Sequence, residues 1–595
     1  MKKILHILLF GFITFTGFAQ INYQQEYLKG KSFFNEGKYN LAMETFKPLT
    51  KEAAGNSFTE YASFYYAVAA FKMDYPALAR DMFLQIKQLH PKWDKLDEVY
   101  LWLARVSFEE NNWLKGIEYS NAISAINPKG VNQKVYYLNR TDSIALLDTL
   151  FQEFDSDKQV AYRYAQLISE QPIYNQDREL LKTIVNDFVF DEDEFLLVTK
   201  AESVKKDTYN IAVMLPFIMD KLQPNLYKKG NQFVLDIYDG VKKAQLDLAS
   251  EDIHVNIHAY DTKKSASETR HLLQRPEMLG MDMFIGPLYP EPSLEVNNFS
   301  LENKINMFNP LSSNQDVIGE NPFSFLYHPS DITQAKAAAH YTIENDTIKN
   351  VMIFYGGSDR DSLRAYTYKE LVEADSFNVV HIQKIEKDTS RHVLQLLTAT
   401  MEDVQKNVEE PIVIIDSLTG EEIELKDIFL IKPDSIGTIY VASDNKLLAS
   451  SVVSAIEIRP DTIQVIGSTE WLKYKFIDFE AYERLGIVLT SNNYFDTHKH
   501  KSRMLSHYCI AKYGKPASIY FLKAYDMTMF IGRNLEKYGN LFQNSVYDIK
   551  EMSSDLLDGI SYYQANDNQY VPVVQFKDNS ITKVSLAKLD EQANK

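Results

Sequence analysis

Four side chains able to hold a soft metal crowd into the stretch DTHKHKSRMLSHYC, where His498, His500, His507 and Cys509 fall within twelve residues. Zinc takes imidazole and thiolate ligands in a tetrahedron, so the residue types suit that chemistry. The spacing does not, because His507 and Cys509 stand two apart in an expected helix and point to different faces. Asp191, Glu192, Asp193 and Glu194 offer oxygen ligands, but no glycine supplies the turn of a calcium loop, so they read as a solvated linker. Gly356 and Gly357 of FYGGSDRDS end a strand before a helix, where backbone N–H groups can cradle phosphate. No lysine follows them, and they read as shaping the turn. The chain also contains no GxxxxGK[ST], GxSxG or HExxH. With no nucleophile, base or metal constellation left standing, the expectation is a non-enzymatic protein without cofactor or metal.

The elements that must position any binding residues fall into two compositional parts. The chain has 595 residues and 45% hydrophobic content, enough for several domains with real cores. It opens with MKKILHILLFGFITFTGFAQ, in which Lys2 and Lys3 precede an apolar run from Ile4 to Phe15 and small residues stand at Gly17 and Ala19. This predicts a secretory signal over residues 1–19, cleaved after Ala19, since the run is too short to span about 30 Å of hydrocarbon. Cys509 is the single cysteine, so neither a disulfide nor a lipid-bearing cysteine near the cleavage point is expected. The expectation is a soluble periplasmic protein that is not a lipoprotein. Its formal charge of -18, or -20 without Lys2 and Lys3, argues against nucleic acid or an anionic membrane as partner.

Residues 22 to 128 contain an internal repeat of 37 residues that brings Gly30, Ala67 and Ala104 into register. Ala42, Ala79 and Gly116 follow the same offset, as do Leu49, Ile86 and Ile123, with Pro91 and Pro128 in the last two copies. Small residues are needed where antiparallel helices cross closely, and larger apolar ones where the pair packs. Apolar spacings of three and four continue to about residue 190, predicting a helical array over 20–190 and a linker over 191–207. From Asn210 the period changes. YNIAVMLPF, HVNIHAYD, DMFIGP and KINMFNP read as buried strands, then NVMIFYGG, FNVVHIQKI, GTIYVASD, TIQVIGS and RLGIVLTS, with helical stretches between them. That alternation predicts two mainly parallel sheets with helices on both faces and a cleft at the strand ends. PIVIID and EIELKDIFLI flank SLTGE within 406–435 and predict an added hairpin that offers a contact surface or covers a sheet edge.

Two resemblances attach to these patterns. The first repeat, with Gly30, Phe33, Gly37, Tyr39, Ala42 and Phe46, is similar to a tetratricopeptide pair. Residues 208 to about 585 resemble the leucine-type (type I) periplasmic binding proteins through IAVMLPF, DGVKKAQ, AYDT, FIGP, INMFNPLSSN, FSFLYHPSDITQAKAAAHY, TIYVASDN and ASIYFLKAYDMTMFIGRNLEKYG. The resemblance implies a bilobal module over 208–595. Its first lobe would take 208–327 and 491–565, its second 328–490 and the C-terminal strands.

It also implies a grip on an amino acid by its two charged ends. The first carboxylate-binding hydroxyl falls on Pro290, which has neither hydroxyl nor N–H, beside Tyr289. The second falls on Ser313, next to Ser312, and acidic partners for an ammonium are expected at Glu470, Asp331 and Asp444. Losing a charge-assisted pair of donors would cost about 2–4 kcal/mol, enough to weaken a micromolar affinity roughly thirty- to a thousandfold. Helical repeats followed by such a module are similar in architecture to the outer-membrane activators of peptidoglycan synthases. The expectation is therefore a non-enzymatic periplasmic scaffold or regulator of cell-envelope (peptidoglycan) biogenesis that binds envelope proteins through its repeats, with the 406–435 hairpin as a further contact surface. The alternative is a solute-binding protein for an amino acid, peptide or similar small polar ligand.

Overall fold

Helices that cross closely in the first third of the chain explain its recurrent small residues. In the computed structural model, which describes residues 22–198, 202–218, 231–386, 389–404, 413–415, 422–424, 428–475, 477–491, 495, 499–578 and 580–584, this region is helical throughout. The expected signal segment and His498 lie outside the described residues. Ten helices run as α1 (Tyr23–Asn35), α2 (Tyr39–Phe46), α3 (Thr59–Lys72), α4 (Pro76–Leu89), α5 (Leu96–Glu109), α6 (Trp113–Asn121), α7 (Pro128–Leu138), α8 (Ile144–Glu153), α9 (Lys158–Ser169) and α10 (Arg178–Asp187). Gly30, Ala42, Ala67, Ala79, Ala104 and Gly116 are all buried. At Gly30 a Cβ would stand 2.6 Å from the Phe46 ring, so the α1–α2 crossing needs glycine.

The turns inside the first three pairs are built alike. Gly37, Asp74 and Asn111 have φ of 74°, 64° and 59°. The next residue in each case donates its N–H to the carbonyl five back: Lys38 to Phe33 at 2.9 Å, Tyr75 to Ala70 at 2.9 Å and Asn112 to Ser107 at 2.8 Å. This is the Schellman closure, which calls for a left-handed residue of the Gly, Asn or Asp kind. Further along, Lys134 donates to Asp157 at 2.5 Å and to Asn121 at 2.7 Å, an ion pair with both side chains 5% exposed. Pro128 opens α7, where a missing N–H is tolerated.

The chain divides into two compact units, one running to Ile168 and including Ile184–Phe190, the other comprising Ser169–Thr183 and everything from Asp191 onward. In the second unit the central strands are almost wholly buried because helices cover both faces of each sheet, while the edge strands carry polar residues. The first sheet has the order β2-β1-β3-β4-β5, all parallel, from β1 (Tyr209–Leu215), β2 (Val255–Asp261), β3 (Met283–Ile285), β4 (Asn306–Asn309) and β5 (Ser324–Leu326). The second has the order β14-β13-β12-β11-β10-β6-β7. Parallel β6 (Asn350–Tyr355), β7 (Asn378–Lys384), β10 (Thr438–Ala442), β11 (Gln464–Ser468) and β12 (Val488–Thr490) are extended by antiparallel β13 (Val573–Lys577) and β14 (Ser580–Lys583). Between β7 and β10, β8 (Val413–Ile415) and β9 (Glu422–Glu424) pair antiparallel within the stretch predicted to form a hairpin.

The helices of this unit are α11 (Gln232–Ser250), α12 (Ala266–Leu273), α13 (Pro290–Asn303), α14 (Asp331–Asn345), α15 (Asp359–Ala374), α16 (Ser390–Thr398), α17 (Met401–Val404), α18 (Lys446–Ile458), α19 (Phe479–Arg484), α20 (His500–Tyr513), α21 (Ile519–Tyr538) and α22 (Gln543–Val546). Aliphatic and aromatic side chains of α11, α20 and α21 form one core with the first sheet, and those of α16, α18 and α19 form another with the second. The chain passes between the two sheets three times: after Leu326, between Thr490 and His500, and before Val573. A helical N-terminal region followed by an α/β module of two mainly parallel sheets, each packed with its own helices into one lobe, is the fold class.

Candidate functional site

The cleft begins where β3 stops. Gly286 turns the chain with φ of 89°, and a Cβ there would lie 2.4 Å from the Met214 carbonyl oxygen, so only glycine fits. The Pro287 carbonyl then accepts from Asn309 Nδ2 at 2.8 Å, and Asn309 Oδ1 accepts from the N–H groups of Leu311 and Ser312 at 3.0 and 2.8 Å. One asparagine thus ties the loop after β3 to the loop after β4. Pro290 is the first residue of α13, a position where proline costs the helix nothing and gives a ligand no donor. Tyr289 precedes it as the N-cap, with the Lys264 ammonium 4.1 Å above its ring. Tyr289 and Ser312 line a cavity of about 220 Å³ on the first lobe. The Ser312 hydroxyl is engaged in its own turn, accepting from the Asn314 N–H at 3.0 Å.

Ser313, Asp331 and Asp444 come together elsewhere, around two arginines. Asp331 opens α14 behind the N-cap Ser330, and that entry is fixed by Asp567, which accepts from the Ser330 N–H at 2.7 Å and the Thr333 hydroxyl at 2.6 Å. Arg360 and Arg364 are four residues apart on α15 and so share a face. Arg360 donates from Nε to Asp331 Oδ2 at 2.6 Å and from Nη2 to Oδ1 at 2.9 Å. Arg364 donates to Asp331 Oδ1 from Nε at 2.9 Å and Nη2 at 2.5 Å. Asp331 is 0% exposed and the Arg364 side chain 7%, so this is a buried, multiply hydrogen-bonded cluster.

The cluster reaches both lobes. Arg360 Nη2 donates to Ser313 Oγ at 2.6 Å, and the Ser313 carbonyl accepts from the Asp331 N–H at 2.9 Å. Arg364 Nη1 reaches Asp444 Oδ2 at 3.3 Å, while Ser468 donates to Asp444 Oδ1 and the Tyr474 hydroxyl to the Asp444 carbonyl. The hydrogen bonds it donates to Asp331 hold the Arg360 guanidinium above its ordinary pKa, with burial opposing. Burial pulls Arg364 down, but Asp331 and Asp444 outweigh it and leave it raised. Both arginines stay charged. Gly356 makes room for a related contact, since a Cβ there would stand 2.1 Å from Asp361 Oδ2, which accepts from Ser443 at 2.8 Å. A carboxylate therefore occupies the ground where these glycines would otherwise receive phosphate.

Glu470 stands apart, in the short turn Thr469–Lys473 after β11, paired with Lys473 at 2.5 Å. Facing it from α21 is Lys523, a lysine 6% exposed for which the described residues supply no hydrogen-bond acceptor or ion-pair partner. Burial brings its amine down to about 7; Glu470 opposes the shift and Lys473 adds to it. Cys509 is buried in the first-lobe core, where burial first, then Asp239 and Asp236, push its thiol up to about 11. Among the described residues no three His, Cys, Asp or Glu side chains gather as metal ligands.

Arg360, Arg364 and Lys523 went unread in the sequence. The two arginines carried a usable signal, a pair at i and i+4 just after a Gly-Gly strand end. Lys523 carried a weaker one, a lone lysine in the apolar run of YFLKAYDMTMF.

No protein-family model matches the chain, and no curated protein does. Among solved structures, Haemophilus influenzae LpoA is similar at 12% identity over 95% of this chain and 94% of that one, with a TM-score of 0.42. A substrate-binding protein of an ABC transporter from Desulfitobacterium hafniense, in complex with Leu, is 14% identical over 63% of this chain and all of its own, with a TM-score of 0.42. A putative branched-chain amino acid ABC transporter from Rhodospirillum rubrum is 12% identical over 63% of this chain and all of its own, with a TM-score of 0.48. The fold class itself stands on the strand orders described above.

Proposed function

We propose that the protein is a non-enzymatic scaffold or regulator of the cell envelope, working in the periplasm through protein contacts. One observation carries this reading. The cleft residues that would grip a charged ligand already grip one another: the Ser313 hydroxyl and the Asp331 carboxylate are engaged by Arg360 and Arg364, and Arg364 continues to Asp444. An incoming amino acid would have to displace several charge-assisted hydrogen bonds, each worth about 1.5–3 kcal/mol. A role in peptidoglycan biogenesis is supported by the architectural resemblance of repeats followed by a bilobal module. No described helix is long and apolar enough to cross a membrane. The helical repeats are the surface proposed to meet envelope proteins.

A solute-binding role is the second reading, and Lys523 favours it, because a buried amine without an acceptor would be satisfied by an acidic ligand. Thermal melting of the full chain with a panel of amino acids, peptides and muropeptides separates the two. A true ligand at a hundred times its Kd adds about 2.7 kcal/mol. The scaffold reading expects no shift, together with envelope proteins captured by crosslinking in cells. A shift removed by Ser313→Ala or Lys523→Met would refute it.

A further inference from the structure

In the helical unit, α7, α9 and the segment ending at Phe190 enclose a cavity of about 410 Å³. Its lining includes the cations Lys158 and Arg163, the amides of Asn139 and Gln159, and the apolar side chains of Leu138 and Phe190, with no Asp or Glu. That composition is unusual in a chain of formal charge -18. Arg163 is 8% exposed, and its Nε–H is buried with no acceptor. Its other N–H groups meet Gln166 at 2.9 Å, the Thr141 carbonyl at 3.0 Å and Asp142 at 3.1 Å. Asp142 is 92% exposed and does little to neutralise a buried guanidinium. Lys158 has no carboxylate within ion-pair distance among the described residues, and its ammonium stands 5.4 Å from the Phe190 ring centroid. Next to the cavity, exposed Arg140 lies over the rings of Tyr136 and Tyr137 at 5.4 and 5.9 Å, also without a carboxylate partner.

We propose that this cavity is a receptor for an acidic segment of a partner protein, one carboxylate entering beside Lys158 and Arg163 and a second lying against Arg140 and Tyr136. At about 410 Å³ the cavity has room for more than one side chain, and Arg140 and Tyr136 beside it extend the cationic and aromatic surface, which fits an extended peptide better than a free anion. Placing it on a protein partner rests on the reading of the repeats as a protein-contact part. Global charge works against acidic partners, so binding of one marks a local site.

The test uses the full chain and a fluorescein-labelled hexaglutamate peptide, followed by anisotropy at low and moderate salt. Expected are saturable binding, at least tenfold weakening when glutamine replaces glutamate, and at least fivefold weakening by Lys158→Gln and by Arg140→Gln. Both substituted positions are exposed, so folding is spared, and Lys72→Gln on α3 serves as the control without effect. Equal binding of the glutamine peptide, or unchanged affinity in Lys158→Gln, overturns the proposal. Binding of glutarate with no binding of the peptide overturns the assignment to a protein segment. None of these outcomes touches the cleft reading, whose own test is melting with small ligands.

Discussion

Replacing Lys523 with methionine should stabilise the protein at neutral pH, and the gain should vanish toward alkaline pH. The amine is buried in α21, and its pKa falls from 10.5 to about 7 in the folded state. Between those values the unfolded chain holds a proton that the native chain does not, so stability rises with pH across this window. At and below pH 7 both states are protonated and the native state carries the full cost of a buried ammonium. At ~1.4 kcal/mol per decade, that cost has a ceiling of about 5 kcal/mol. Methionine fills a similar volume without charge. Lys523→Met should therefore gain a few kcal/mol at pH 6 to 7, less at pH 8.5 and little near pH 10. The measurement is urea unfolding of both proteins at each pH, in which other titrating groups cancel in the difference. A gain independent of pH between 7 and 9.5, or a loss at pH 7, would show that the amine stays charged and satisfied, and the reasoning would fail.

Asp331→Ala leaves the buried Arg364 with only the longer contact to Asp444 and should cost about 3–5 kcal/mol, while the double variant with Arg364→Met should recover much of that loss; chemical denaturation of the four proteins of the cycle measures it. Gly286→Ala combines a φ of 89° with a 2.4 Å approach to the Met214 carbonyl, so it should lose at least 1–2 kcal/mol, whereas Gly280→Ala, where nothing stands within 4 Å of the added carbon, should lie within about 0.5 kcal/mol of the parent. Equal melting temperatures for these two variants would remove the steric argument.

How much was legible in the sequence depended on whether the signal was local. The 37-residue register of Gly30, Ala67 and Ala104 was visible because all three are buried in helices and small residues recur at that spacing. The shared turn at Gly37, Asp74 and Asn111 was harder to see, since three different residue types meet one backbone requirement. Gly286 and Pro287 marked a strand end at the cleft, and Pro290 stood out as a position unable to donate. In the fold Pro290 is the opening residue of α13, which gives the proline a structural reason of its own.

By itself the sequence determined the order of the elements, because periods of 3.6 and 2 are written along the chain and buried parallel strands need unbroken apolar runs. It also put Pro290, which has no N–H, where the family resemblance implies a carboxylate-binding hydroxyl. Only the tertiary structure decided what became of the others. Asp331 is neutralised by arginines 29 and 33 residues away, and the Ser313 hydroxyl accepts a hydrogen bond from one 47 residues away. Lys523 faces a Glu470 from the other lobe. Whether a charge is free for a ligand or spent on a neighbour depends on distance and burial, which are set when the two sheets come together.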